Sequence, residues 1–316
     1  MSAVRRTPTL GAVLALGVVL LAPTTGAGAA EETCQGRTAT IVGTPRGAVV
    51  GTPGDDVIVT YGDYSVDAGD GDDLICLRPV VGGLVVQVDA GAGDDSVVSE
   101  GEVNNAEADL GPGRDTYVGG GGMDTINASL DDTIVADAGD DFLNYSIERD
   151  EPLPAVVGTA TMTRTEGWIK VVAPGRRLTI DGTSGQVSLA GEVVTTFAVS
   201  PRMLFGVAQR VTLVGTSGFD RLGTAACGTS VVRGLGAGDQ IVALASGATP
   251  KRECRNRRML AFGGGGNDDI AGTGGPDVLR GGSGKDDLRG ARGTDVADGG
   301  TGRDRCNAER ERRCER

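Results

Sequence analysis

The chain has 316 residues, a formal net charge of −13 and no histidine. The missing imidazole excludes Ser-His-Asp and Cys-His catalysis, His-zinc sites and the HExxH metalloproteases, and the negative charge argues against nucleic acid as a partner. With 3% aromatic residues, a core built on large rings is excluded. Its 54 Gly and 12 Pro stay below the roughly 25–30% of a low-complexity chain.

Residues 1–30 read as a secretory signal peptide, not as part of the fold. Arg5 and Arg6 supply a positive start, Leu10 to Ala22 is an apolar run too short to span a bilayer, and Ala27-Gly28-Ala29-Ala30 offers a small-residue cleavage site. No other segment is apolar enough for a membrane span, so the expected location is secreted, extracellular. All six cysteines lie beyond this segment. An even count in an exported chain points to disulfides. Six cysteines allow fifteen pairings; pairing of sequence neighbours, Cys34–Cys76, Cys227–Cys254 and Cys306–Cys314, is the favoured arrangement.

From Glu31 to Asp150 there are 25 acids and 5 bases, a net charge of −20; from Glu151 onward there are 18 acids and 23 bases. A block at −20 either repels itself into disorder or needs cations. The spacing of the acids decides. Residues 31–150 hold a loose nine-residue unit: GTPGDDVIV at 51–59, AGDGDDLIC at 68–76, AGAGDDSVV at 90–98, LGPGRDTYV at 110–118, GGGGMDTIN at 119–127 and ADAGDDFLN at 136–144. The acid at its sixth position is Asp56, Asp73, Asp95, Asp115, Asp124 or Asp141. Most successive spacings lie near eighteen, so one edge of a coiled structure keeps the loop while the other drifts. The inward residues at position 8 are Ile58, Ile75, Val97, Tyr117, Ile126 and Leu143.

Residues 151–260 are β-rich and poorer in acids. RLTIDGTSGQVSL from Arg177 and RVTLVGTSGFDRL from Arg210 share R-x-T-x-x-GTSG at an offset of 33 residues. The second holds Asp220 in a fair copy of the unit; the first has Val187 in its place. LGAGDQIVA from Leu235 reads as a copy with Gln240 at position 6. The stretch reads as the same solenoid with most loops of the repeat lost, or as a separate small β-domain. The basic cluster Lys251, Arg252, Arg255, Arg257 and Arg258 is read as a solvated loop around Cys254.

The cleanest pattern lies in residues 261–316. Five nonapeptides follow without a gap from 263 to 307: GGGGNDDIA, GTGGPDVLR, GGSGKDDLR, GARGTDVAD and GGTGRDRCN. Positions 1 and 4 are always Gly, and position 6 is always Asp: Asp268, Asp277, Asp286, Asp295 and Asp304. Gly can adopt positive φ and close a tight turn; the last three residues form a short strand with position 8 (Ile270, Leu279, Leu288, Ala297, Cys306) facing inward. Two nonapeptides make one coil, and coils stack at roughly 4.8 Å. Asp268, Asp286 and Asp304 then share one edge, Asp277 and Asp295 the other. Stacked carboxylates invite a divalent cation, and turn carbonyls with Asp oxygens match the 6–8 hard oxygen ligands of Ca²⁺ better than the tight octahedron of Mg²⁺. Zinc would need Cys or His.

These residues resemble the haemolysin-type, or repeats-in-toxin, calcium-binding nonapeptide GGxGxDxUx, where U is a large apolar residue. The resemblance implies an all-β, right-handed parallel β-roll or β-solenoid with several Ca²⁺ ions between successive coils. Position-6 aspartates would be the metal ligands: Asp268, Asp277, Asp286, Asp295, Asp304, Asp56, Asp73, Asp95, Asp115, Asp124 and Asp141. The basic tail CNAERERRCER departs from the family's uncleaved C-terminal export signal and suits a cap closed by Cys306–Cys314. The expected function is that of a secreted, non-catalytic calcium-binding β-roll, with an extracellular glycan or cell-surface component as a partner to consider. The alternative is a Ca²⁺-dependent polysaccharide-active enzyme or its binding module, with Lys170, Arg176 or Arg177 as base.

Overall fold

The computed structural model describes residues 31–62, 65–78, 85–100, 105–136, 139–147, 152–162, 167–198, 202–244 and 257–315. The expected signal peptide and Cys254, with most of its basic cluster, lie outside them. The described residues contain no helix. Almost all of their strands join one continuous sheet, hydrogen-bonded mostly in parallel. Outside the N-terminal hairpin and the middle stretch, each strand pairs with the strand two places on in the chain, so two stacks of parallel strands rise together, one coil at a time. Val57–Val59 pairs with Leu74–Leu77, which pairs with Ser96–Ser99; Asp269–Ala271 pairs with Asp287–Arg289, which pairs with Arg305–Asn307.

The strands are short because only one or two residues per strand can point into so narrow an interior. Every expected inward residue up to Ala297 is fully buried, and Cys306 packs against the same core. They stack in columns: Ile58, Ile75, Val97, Tyr117 and Ile134 in one, Ile241, Ile270, Leu288 and Cys306 in another. A column of like side chains repeats the same packing at each coil, which is why a strict nine-residue pattern suffices to specify it.

The coils at 57–77 are also apolar on their outer side. Val57, Val59, Leu74, Cys76 and Val98 form a second buried cluster with Cys34. The antiparallel hairpin of Thr33–Cys34 and Arg37–Thr38 packs there, tied by the Cys34–Cys76 disulfide. Arg78 reinforces it through Glu32, Glu100, Tyr61 and the Thr33 carbonyl oxygen. At the other end Cys306–Cys314 closes the last coil. Cys227 is disulfide-bonded as well.

The middle stretch continues the same pairing. The strand Trp168–Asp181 lies parallel to Met203–Val214, with Arg177 opposite Arg210 and Thr179 opposite Thr212: the 33-residue offset seen in the sequence is one coil. Between them the chain makes an excursion, in which Gln186–Leu189 pairs antiparallel with both Trp168–Asp181 and Glu192–Phe197. The first GTSG therefore opens a hairpin, while the second opens a repeat loop.

Candidate metal centre

The loops between strands carry the acids, and their backbone is dictated by glycine. In the C-terminal repeats Gly264, Gly266, Gly282, Gly284, Gly300 and Gly302, at positions 2 and 4, all have φ between 103° and 137°, a region that side chains with a Cβ avoid. Stacking adds a second constraint. A Cβ on Gly282 or Gly284 would strike the carbonyl oxygen of Gly264 or Gly266, one coil earlier. The carbonyls of positions 2 and 4 thus point at the next loop. Position 1 must be Gly for another reason: a Cβ on Gly281 would fall 2.6 Å from the Gly299 carbonyl oxygen and closer still to Asp286 Oδ2.

All position-6 aspartates are buried, none more than 4% exposed. They form ladders. Along one edge the backbone N–H of Asp56 donates to Asp73 Oδ1 (2.7 Å), Asp73 to Asp95 (2.8 Å), Asp95 to Asp115 (2.8 Å) and Asp115 to Asp132 (2.9 Å). On the opposite edge the Asp124 N–H donates to Asp141 Oδ1 (2.9 Å). In the C-terminal half Asp220 donates to Asp239 (2.9 Å), Asp239 to Asp268 (2.7 Å), Asp268 to Asp286 (2.9 Å) and Asp286 to Asp304 (3.0 Å). Facing it, Asp277 donates to Asp295 (2.9 Å). The expected edges, Asp268–Asp286–Asp304 and Asp277–Asp295, are the observed ones.

Each Oδ1 has a donor, a backbone N–H at most rungs (Ala106 for Asp124, Met259 for Asp277) and a Thr hydroxyl at Asp56 (Thr40) and Asp220 (Thr216); many Oδ2 atoms have none. Those of Asp73, Asp95, Asp115, Asp124, Asp239, Asp268, Asp286, Asp295 and Asp304 are buried without a hydrogen-bond partner. Burial disfavours the charged form of a carboxylate. It raises Asp115 to about 8, Asp132 and Asp239 to about 7, and Asp73, Asp95 and Asp268 to about 6, against bonds from neighbouring N–H groups that pull the other way. Asp56 shows the contrast: burial would raise it as well, but the Thr52 N–H and the Thr40 and Thr52 hydroxyls hold it below the ordinary value.

A carboxylate oxygen without a donor, beside a carbonyl oxygen of the next coil, is a place for a cation. The donor set is all oxygen, which fits Ca²⁺. Among the described residues no group of three or more His, Cys, Asp or Glu gathers at one point, so backbone carbonyls must supply most of the ligands to any ion held here.

One rung lies outside the sequence expectation and one is shifted by a residue. Asp132 follows a coil of 17 residues, one short of the regular unit. The copy at 235 is out by one: Asp239, not Gln240, occupies the buried rung, with Gly234 at position 1. Its loop has Leu235 and Ala237 in place of glycine, both at positive φ (85° and 65°). Position 5 carries a ladder of its own. Asp55, Asp72 and Asp94 form an exposed ladder of opposite polarity, each Oδ1 accepting the N–H of the next coil at 2.8–3.0 Å, and Asn267 does the same for Lys285 (2.8 Å). Lys170, considered as a base, stands in register with Asn144 and Phe205.

The family model of the RTX calcium-binding nonapeptide repeat matches in four copies, over residues 109–143, 262–297 and 288–310. The chain carries RTX repeats. No curated protein and no solved structure matches it. The matched RTX segments contain Asp115, Asp124, Asp132, Asp141, Asp268, Asp277, Asp286, Asp295 and Asp304; the ladders continue beyond them to Asp56 and Asp220.

Proposed function

We propose that this is an exported, non-catalytic protein whose β-roll is completed by several Ca²⁺ ions seated along the aspartate ladders. The observation that carries the reading is the run of buried Oδ2 atoms without donors, repeated coil after coil beside inward-turned carbonyls. Leaving one such group unpaired costs about 1–3 kcal/mol, more when it is charged, so a chain that keeps nine of them has a use for a counter-ion. Export is supported by the composition of residues 1–30 and by cysteines bridged in pairs.

The test is circular dichroism and thermal unfolding of the purified protein in chelator, in Ca²⁺ and in Mg²⁺. Calcium that binds only the folded state adds about 2.7 kcal/mol per site at a hundredfold excess over Kd. The expected result is a β spectrum and a melting temperature that rise with Ca²⁺ and far less with Mg²⁺. An unchanged spectrum and melting point in chelator would sink the reading.

A further inference from the structure

The rungs are of two chemical kinds, and position 2 of the loop separates them. In the first kind, position 2 has positive φ: Gly69, Gly91, Gly111, Leu235, Gly264, Gly282, Ala291 and Gly300. These loops belong to Asp73, Asp95, Asp115, Asp239, Asp268, Asp286, Asp295 and Asp304, every one of which has an unpartnered Oδ2. In the second kind, position 2 is Thr with φ outside the left-handed region. Its N–H then swings onto its own aspartate: Thr52 to Asp56 Oδ2 (2.7 Å), Thr216 to Asp220 Oδ2 (2.6 Å) and Thr273 to Asp277 Oδ2 (2.5 Å). The Thr hydroxyl adds a further bond in each case (2.9–3.1 Å to the same carboxylate). Asp132 is closed similarly by the Ser129 N–H (2.7 Å). Asp124, below Gly120 without positive φ, is intermediate: its Oδ2 meets no donor at hydrogen-bond geometry, yet the Gly120 N–H and the Tyr117 hydroxyl both act against the rise that burial causes.

The second kind is not scattered. Asp56, Asp220 and Asp277 are each the first aspartate of a ladder, and Asp132 is the last of the ladder that Asp56 begins. An end rung lacks an aspartate neighbour on one side.

We propose that residue 2 of the loop decides whether a rung takes calcium: Thr at the starts of three ladders, and Ser129 at one ladder end, make metal-free clasps, while the rungs with positive φ at position 2, including the ladder ends Asp295 and Asp304 and Asp239 outside the matched repeats, hold the ions. This rests on the calcium reading and deepens it. It excludes Asp56 and Asp277 from the expected ligand set and adds Asp239. The physical ground is donor supply. A carboxylate whose second oxygen already accepts an N–H and a hydroxyl gains little from an ion, and its turn has rotated a donor into the space that an ion would need. An open Oδ2 has no alternative partner.

The experiment counts bound calcium on the whole purified protein by equilibrium dialysis and metal analysis, with Asn replacing Asp so that the Oδ1 acceptor of the ladder is kept. Asp239→Asn and Asp286→Asn should each lower the number of ions by about one. Asp220→Asn and Asp277→Asn should leave it unchanged while lowering the melting temperature equally in chelator and in calcium. As a second route, Thr273→Gly frees position 2 and should add an ion at Asp277, whereas Gly282→Thr should remove the one at Asp286. If Asp220→Asn and Asp277→Asn each lose an ion as Asp286→Asn does, the calcium reading stands and the two-kind proposal falls. If the unaltered protein binds none, the calcium reading itself falls.

Discussion

Gly281→Ala places one methyl group in the space where a calcium ion is expected, and its cost can be worked from the structure. The added Cβ collides with Asp286 Oδ2 and lies 2.6 Å from the Gly299 carbonyl oxygen. The carbonyl belongs to the backbone of the next coil and cannot swing aside, so the carboxylate must. Asp286 then loses the N–H of Asp268 (2.9 Å), a bond to a charged group worth about 1.5–3 kcal/mol. In chelator the loss should stop there. In calcium at a hundred times Kd, the lost site removes about 2.7 kcal/mol more, a large fraction of a total stability of roughly 5–15 kcal/mol. Gly274→Ala is the control from the neighbouring repeat: a Cβ there meets nothing within 4 Å and φ is not positive, so the change should stay within about 0.5 kcal/mol. Urea unfolding of the whole protein followed by circular dichroism, with and without calcium, measures both. Equal midpoints for the two variants would refute the placement of the carboxylate. A Gly281→Ala loss of the same size in chelator and in calcium would refute the metal.

Three more outcomes are expected. Leu288→Ala opens a cavity between Ile270 and Cys306 and should cost about 2–5 kcal/mol, whereas Asp287→Ala, its exposed neighbour paired with Arg289, should cost no more than about 1 kcal/mol; melting curves compare them. Replacing Cys34 and Cys76 by Ser should cost about 2–5 kcal/mol and release the hairpin at 33–38 to proteolysis, read by the size of the first fragment. The pH dependence should change sign with calcium: aspartates raised to about 6–8 bind protons in the folded state that the unfolded chain has already released, so in chelator the melting temperature should fall as pH rises from about 4 to about 8. Calcium takes the ionised form, so the rise in melting temperature that it confers should be larger at pH 8 than at pH 5.

The ladders were legible wherever glycine and aspartate kept their period, because φ > 0 and a buried acid each admit few residues. They became illegible where the backbone kept the loop without the glycine. Leu235 and Ala237 hold left-handed conformations, and the reading slid by one residue onto Gln240. Asp132 stayed hidden because its loop, Asn127 to Asp131, carries no glycine at all. The pair of GTSG segments shows the limit from the other side: Gly182–Gly185 and Gly215–Gly218 are identical in sequence, yet one turns into an antiparallel hairpin and the other into a repeat loop. The difference lies downstream, where Val187 enters the core and Asp220 joins a ladder. The outer apolar residues of the first coils sit at positions 7 and 9, where the unit sets no residue type; they answer to the N-terminal hairpin, a contact that closes over more than forty residues of chain.

The acidity of residues 31–150 follows from the same geometry. Seven of its 25 acids are ladder rungs: Asp56, Asp73, Asp95, Asp115, Asp124, Asp132 and Asp141. Two unit charges one coil apart, at roughly 4.8 Å, repel by about 3–4 kcal/mol at an effective dielectric constant near 20. Four such intervals on the edge from Asp56 to Asp132 would together rival the whole stability of a domain. The edge therefore cannot stand fully ionised and bare; protons or cations must occupy it. Neither occupies one rung in isolation, because the N–H of each rung is held by the carboxylate of the next. A rung that gives up its aspartate geometry frees the backbone donor of its neighbour. Neutralisation along such an edge should accordingly be cooperative, anchored at the Thr-closed ends and completed in the interior, and a calcium titration followed by circular dichroism should give a Hill coefficient above one. A strictly hyperbolic titration would show that the rungs fill independently, and the ladder hydrogen bonds would then not couple them.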